Sequence, residues 1–325
     1  LFINEQPHFF WPDNRTDNYH RVAWRYTACT CNDGIDIQKP GSNIKINGNS
    51  MIFIKKYSNT INFIIFTMLF SGGFYPAEKV FALTGREIME KVNARDEGDR
   101  SKGEMEMILI DKKGEKRIRK LKTFGGKKDK DNLSLMFFLS PADVKNTGFL
   151  TYDYNESGKD DDQWLYLPAL RKTKRIAAGD KSGSFMGSDL NYSDMTTPDL
   201  DLYDYTLMKD TEVRGKKVWQ IKAVPKHKDE AVKSGYSKSV IFIRQDNYVM
   251  IRAVRWVHKK RRNKYLDVKK LEKIDGIWVS TEMHVTTKTG KKTLHKTVLK
   301  QNNIRFNQDD VNADLFTVRR LEKGA

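Results

Sequence analysis

Cysteine is nearly absent: Cys29 and Cys31 are the two in 325 residues, and none follows Met51. A Cys-x-Cys pair supplies too few ligands for a four-coordinate structural zinc. Beyond Met51 there is neither a disulfide framework nor a thiol nucleophile. The folded part must therefore be held by its own core, and it is long enough to build one. Long apolar runs are also lacking. The most apolar stretch, Ile61-Asn-Phe-Ile-Ile-Phe-Thr-Met-Leu-Phe70, is about half of the roughly 20 residues a membrane-spanning helix needs.

Signatures of catalysis are equally scarce. Ser182, Ser184 and Ser188 lie near glycines, but none is centred in Gly-x-Ser-x-Gly. His227, His258, His284 and His295 are scattered, with no His-Glu-x-x-His. Gly125-Gly126-Lys127-Lys128 lacks the spacing and the Ser/Thr of a phosphate-binding loop. Asp160-Asp161-Asp162 reads as a turn rather than a metal site. The expectation is a protein with no cofactor, no metal and no catalytic residues.

Basic charge, by contrast, is abundant. Lys and Arg number 59 against 42 Asp and Glu, a formal net charge of +17. Such an excess points toward nucleic acid or an anionic membrane surface. Most of these cations are spread along alternating segments, which suits the wet faces of strands; residues 259–262, Lys-Lys-Arg-Arg, are the exception. The basic run 117–122 reads as a solvated strand face. With 11% aromatic residues the chain is too rich in large side chains for a disordered one.

The N-terminus reads as two segments. From Met51, two lysines, a roughly ten-residue apolar stretch and Val80-Phe81-Ala82 reproduce the basic, apolar and small-residue regions of a Sec signal peptide. Residues 51–82 are expected to be that peptide, cleaved after Ala82. Residues 1–50 lack any sustained period and are expected to be a disordered, non-native upstream extension. Residues 83–325 then form the mature domain, exported to the periplasm; a signal peptide also argues against a nucleic-acid partner.

Within 83–325 the pattern is that of successive hairpins. Thr84 and Glu87 form a capping box, and Ile88, Met89 and Val92 make an apolar helical stripe expected to stop near Glu97-Gly98. Period-2 runs follow at 104–110, 117–124, 133–139, 147–154, 163–168, 172–177, 205–213, 217–224, 239–244, 249–258, 265–274, 278–286 and 293–304, separated by turn residues such as Asp275-Gly276. A helical turn is expected at 308–313. Residues 179–198 break the pattern with Gly, Ser, Asp and aromatics, and a loop that long is usually functional or mobile. The expected fold is mainly β: one antiparallel sheet of about ten or eleven strands with two or three short helices, too few to cover it.

Ser140-Pro-Ala-Asp-Val144, Gly148-Phe-Leu-Thr-Tyr-Asp153, the stretch from Asp160 through Trp164 to Arg171, and Gly183-Ser-Phe-Met-Gly-Ser-Asp189 resemble, in order and ungapped, the LolA-like outer membrane lipoprotein-sorting protein family. The resemblance extends from about Leu83 to the end. It implies a curved antiparallel half-barrel with a helical lid or plug of the LolA/LolB type, in the periplasm, holding the acyl chains of lipids or lipoproteins without chemistry. It also implies an alternative role as a non-catalytic docking subunit of an inner-membrane exporter of the resistance-nodulation-division (RND) type.

Eight apolar residues are candidates for the cavity or its lid. Trp164, Tyr166 and Pro168 alternate with Leu165 and Leu167, so one set faces either a cavity or ordinary core. Phe185, Met186 and Tyr192 belong to the aperiodic loop, where a lid or cavity mouth is expected. Trp256 and Trp278 add apolar mass to later strands. Asp189, Tyr192 and Asp194 either make local turns or latch the loop to Arg171 or Arg175.

Overall fold

The computed structural model describes residues 83–325; the expected extension and signal peptide lie outside the described residues. The described residues begin with helix α1 (Gly85–Asn93). The Thr84 backbone N–H donates to Glu87 Oε2 at 2.7 Å and the Glu87 N–H to Thr84 Oγ1 at 3.2 Å, the expected capping box. Ile88 and Met89 are buried beneath the helix. It ends at Asn93, a turn earlier than expected, and 94–100 crosses to the sheet as irregular chain. Gly98 makes that crossing possible: its φ is +79°, and a Cβ there would lie 2.3 Å from the Phe306 ring.

Thirteen strands follow, β1 (Ser101–Ile110), β2 (Lys116–Lys128), β3 (Asp131–Ser140), β4 (Gly148–Asp153), β5 (Asp162–Leu167), β6 (Lys172–Arg175), β7 (Tyr203–Val213), β8 (Lys216–Pro225), β9 (Tyr236–Arg244), β10 (Met250–Val257), β11 (Asn263–Ile274), β12 (Ile277–Thr289) and β13 (Lys292–Arg305). The count exceeds the expected ten or eleven because every period-2 run forms its own strand, down to the four-residue β6. Two helices were not expected where they occur. Lys228–Ser234 forms α2 between β8 and β9, and Val318–Lys323 forms α3 near the end. The helical turn expected at 308–313 falls later, as a 3-10 turn at Ala313–Leu315 leading into α3.

All thirteen strands join one open, curved antiparallel sheet in the order β6-β5-β4-β3-β2-β1-β13-β12-β11-β10-β9-β8-β7. The first and last strands pair at the centre; the chain steps outward from β1 to β6 and back inward from β7 to β13. The two edges, β6 and β7, are therefore consecutive in sequence, and residues 176–202 between them must cross the whole sheet. The face they cross, the inner face, carries the larger core, including Met107, Leu109, Phe138, Phe149, Leu165, Ile221, Ile243 and Val285. Opposite it, on the outer face of β2–β5, Phe124, Leu135, Phe137 and Leu150 form a second core closed by Val311, Phe316 and Leu321 from the C-terminal segment. Both edges are poor templates for further pairing: β6 is short and basic, and β7 carries a register shift between Leu207 and Lys209.

Candidate functional site

The crossing segment, here called the strap, alternates 3-10 turns at Ala178–Asp180, Phe185–Gly187, Tyr192–Met195 and Leu200–Leu202 with extended chain. It has no regular ladder of its own, so its attachment depends on side chains. The apolar anchor is Phe185, 1% exposed. Its ring lies 4.9 Å from Phe149 on β4 and 5.6 Å from Tyr192, centroid to centroid. Leu190 is buried in the same cluster.

Lys181, Ser193 and Thr197 of the strap also bond outward, to Asp161, Ser234 and Asp153, and three further polar residues tie it to the later strands. Asp189, 3% exposed, accepts hydrogen bonds from Thr287 on β12 and Thr297 on β13, the latter at 2.7 Å, and lies 2.7 Å from His295 Nδ1. Its own N–H donates to Thr297 Oγ1 at 2.9 Å. Asn191 accepts from Lys264 Nζ at 2.6 Å and donates to the Ser234 carbonyl at 3.0 Å. Asp194 accepts from Tyr236 Oη at 2.7 Å and is ion-paired with Arg255. The strap approaches the α2–β9 turn so closely that a Cβ on Gly235, whose φ is +81°, would meet Asn191 Nδ2 at 2.7 Å.

Burying these charges shifts them. Burial pulls the Lys264 ammonium down to about 8, against the opposing pull of the Asp194 and Asp189 carboxylates. Burial also lowers the Arg255 guanidinium, but Asp194 and Tyr236 more than offset this and hold it above its ordinary value. The Tyr236 hydroxyl is raised well above the usual phenol range by burial and by Asp194. Asp153, at the end of β4, is pushed up to about 6 by burial and then by the Asp161 charge, while hydrogen bonds from Thr197 pull the other way.

The groove expected over the inner face is occupied by the chain itself. Two hollows lie near the end where α1 leads into β1, on either side of the crossing at 97–101. One, of about 310 Å³, is bordered mainly by polar groups, among them Glu97, Asn132, Asp153, Asp194 and Thr197. The other, of about 220 Å³, is bordered by Val249, Ile277, Trp278, Val279, Ile304 and Phe306 together with Arg95, Glu97, Ser101, Ser280 and Gln301, and most of its open surface is polar. Small-molecule sites are mostly apolar and measure about 300–1,000 Å³; the smaller hollow falls below that range, and its aliphatic and aromatic side chains are what it offers an alkyl chain.

The eight sequence-derived candidates do not gather in one place. Phe185, Met186 and Tyr192 are together in the inner core, and Phe185 is an anchor rather than an exposed lid tip. Trp164 and Tyr166 pack in the outer core; Leu165 and Leu167 are the members of that strand that face inward. Pro168 starts a 3-10 turn beyond β5. Trp256, beneath Lys238, is partly exposed. Trp278 alone lines a hollow. Asp189 and Asp194 do latch the strap, but to Thr287, Thr297, His295 and Arg255 rather than to Arg171 or Arg175; Arg175 pairs with Asp162. Arg255 and Lys264 were not among the candidates. Their signal was a cation at an inward position in an otherwise apolar run, visible at Arg255 in 249–257.

Among the described residues, no group of three His, Cys, Asp or Glu could hold a metal, and no helix is long and apolar enough to cross a membrane. No curated protein matches the sequence. A family model whose description reads only "-like: Uncharacterized protein" matches residues 130–323. A DUF1329 family protein from Desulfovibrio piger is 32% identical, with a TM-score of 0.66, over 73% of this chain and 97% of its own. A protein domain from Vibrio parahaemolyticus, named for outer membrane lipoprotein sorting, is 30% identical with the same TM-score, over 73% and 98%. A LolA superfamily protein from Nitrosomonas europaea, 14% identical with a TM-score of 0.55 over 73% and 99%, shares the fold. The chain belongs to the DUF1329 family.

Proposed function

We propose that the protein is a non-catalytic periplasmic carrier that shelters an acyl chain of a lipid or lipoprotein between the inner face of its sheet and the strap. One observation carries this reading. The inner face is covered by α1 and by an irregular strap that has no strand ladder of its own and is held through side chains. At one end of the sheet lies a hollow with Val249, Ile277 and Trp278 in its wall. The relationship to the Vibrio lipoprotein-sorting domain supports the same reading.

Each buried CH₂ gains about 0.8 kcal/mol, so an alkyl chain can offset a modest cost of lifting the strap. The guest enters at the Trp278 hollow and extends under the strap by displacing Met186 and its neighbours. No observation favours the exporter-subunit alternative over this one.

Native mass spectrometry of delipidated protein incubated with phospholipid, and separately with a lipoprotein, tests the reading. Expected are one or two lipid adducts per chain, and several-fold weaker uptake by Trp278→Ala. Protein that stays free of adducts with both ligands overturns it.

A further inference from the structure

The antiparallel register sorts the turns of the sheet to two ends. Ile110 pairs with Lys116, Trp256 with Asn263, and Thr289 with Lys292, while Asn263 faces Lys288 and Ile110 faces Lys296. The β1–β2, β10–β11 and β12–β13 turns therefore project from the same end. It is the end opposite the two hollows, which are bordered by the starts of β1 and β12 and the ends of β2 and β13.

This rim is basic. Lys259, Lys260, Arg261 and Arg262 occupy the β10–β11 turn, and Lys291 and Lys292 the β12–β13 turn. All six are exposed, and neither turn contains a carboxylate. Lys112 and Lys113 extend the rim onto the β1–β2 turn, which also carries Asp111 and Glu115. None of these eight has an ion-pair partner among the described residues. At the opposite end cations and carboxylates are interleaved: Arg95 pairs with Glu97, Arg100 with Asp309, Lys102 with Asp310 and Arg244 with Asp246, and Lys128 and Lys130 flank Asp129. A rim rich in unpaired cations attracts an extended anionic surface, less strongly as salt screens it.

Two aromatic residues sit beside the rim. Trp256 and Tyr265 alternate with inward-facing Arg255, Lys264 and Leu266, so both lie on the outer face, one step apart diagonally across the β10–β11 pair. Trp and Tyr of this kind favour the headgroup level of a bilayer. Lys238 lies 4.6 Å over the Trp256 ring and Lys288 5.4 Å over the Tyr265 ring. Single-stranded nucleic acid is held by bases stacking on open aromatic faces, and here lysines take those positions.

We propose that this rim docks the protein on a bilayer surface rich in anionic phospholipid headgroups, with Trp256 and Tyr265 at the headgroup level. The inference deepens the carrier reading and rests on it for its purpose: a carrier held by this rim keeps its hollows turned away from the bilayer and open to a donor or acceptor.

Flotation with phosphatidylcholine vesicles, with and without phosphatidylglycerol, at 0.1 M and 1 M salt, tests it. Binding that requires phosphatidylglycerol, is lost at 1 M salt, and weakens at least tenfold in a Lys260→Gln, Arg261→Gln, Arg262→Gln variant supports the proposal. A control variant, Lys128→Gln, Lys130→Gln, Lys273→Gln, removes equal charge at the opposite end and is expected to bind within about twofold of the parent. Equal loss in both variants reduces the effect to net charge and overturns the proposal. So does binding indifferent to phosphatidylglycerol, or duplex DNA that displaces the vesicles and binds the rim more tightly. Adduct formation by native mass spectrometry reads the carrier function separately: the rim variant is expected to load lipid normally, and a protein that docks but never loads would sink the carrier reading alone.

Discussion

At the residue scale, the latch between Asp194 and Arg255 concentrates the greatest electrostatic risk. Asp194 has 5% of its side chain exposed, and its oxygens also serve Tyr236 and the Asn191 N–H. Removing one partner of a buried pair strands the other charge and costs about 3–5 kcal/mol. Asp194→Ala is therefore expected to lose most of that amount in chemical denaturation, and the double variant Asp194→Ala, Arg255→Met to recover part of it. Asp153 sets a pH dependence of opposite character. Its folded-state value of about 6 lies above the ordinary aspartate value, so the folded state holds the proton more tightly than the unfolded one. Stability from this group is present below about pH 4 and is lost as pH rises through about 6. Asp153→Asn, which keeps an acceptor for Thr197, is expected to be more stable than the parent at pH 7 by on the order of 1–2 kcal/mol and equal to it near pH 4. Denaturation midpoints at the two pH values check this; an unchanged difference would mean that the carboxylate is freely solvated.

At the scale of elements, the strands were legible and the strap was legible only as a location. Alternation and turn residues placed each of the thirteen strands within a few residues, because a half-buried strand writes its burial into every second position. Counting those runs as ten or eleven understated what the pattern contained. α2 was missed because its seven residues, five of them polar, leave little helical stripe, and only Gly235 at its C-terminal cap marks it. The strap's lack of period correctly set 179–198 apart. Its anchors could not be read, since Asp189 meets Thr297 across 108 residues and no local pattern records such a contact. Lack of period does not by itself mean mobility: a segment without ladder bonds can still be fixed through Phe185, Asp189 and Asp194. Phe185→Ala is expected to cost about 3–5 kcal/mol if the strap stays seated. If the strap instead lifts, global stability falls less and amide exchange across 181–196 accelerates strongly. In the parent protein those amides are expected to exchange nearly as slowly as the central strands, and rapid exchange there would remove the strap as a fixed cover.

At the scale of the whole molecule, the sheet solves a covering problem twice, with irregular chain on both faces. The inner face is covered by α1 and the strap, which combines apolar anchors such as Phe185 with buried polar contacts. The outer face of β2–β5 is covered by the C-terminal segment, whose contacts are chiefly apolar. Gly126 and Gly148 admit it at close range: a Cβ on Gly126 would lie 2.7 Å from the Phe316 ring, and one on Gly148 2.5 Å from Leu321. Tyr152 caps the arrangement by donating to the Phe316 carbonyl. The difference in chemistry predicts a difference in behaviour: the inner cover is suited to exchange with a guest, and the outer cover to staying in place. Truncation after Gln308 removes Val311, Phe316 and Leu321 and uncovers Phe124, Leu135, Phe137, Leu150, Trp164 and Tyr166 as one patch, larger than a soluble monomer usually exposes. The truncated chain is expected to self-associate in light scattering and to bind a hydrophobic dye strongly. The milder Phe316→Ala should stay monomeric but lose about 3–5 kcal/mol. A truncated chain that remained monomeric and as stable as the parent would mean that the outer core is closed by the sheet alone, and the division of labour between the two covers would have to be abandoned.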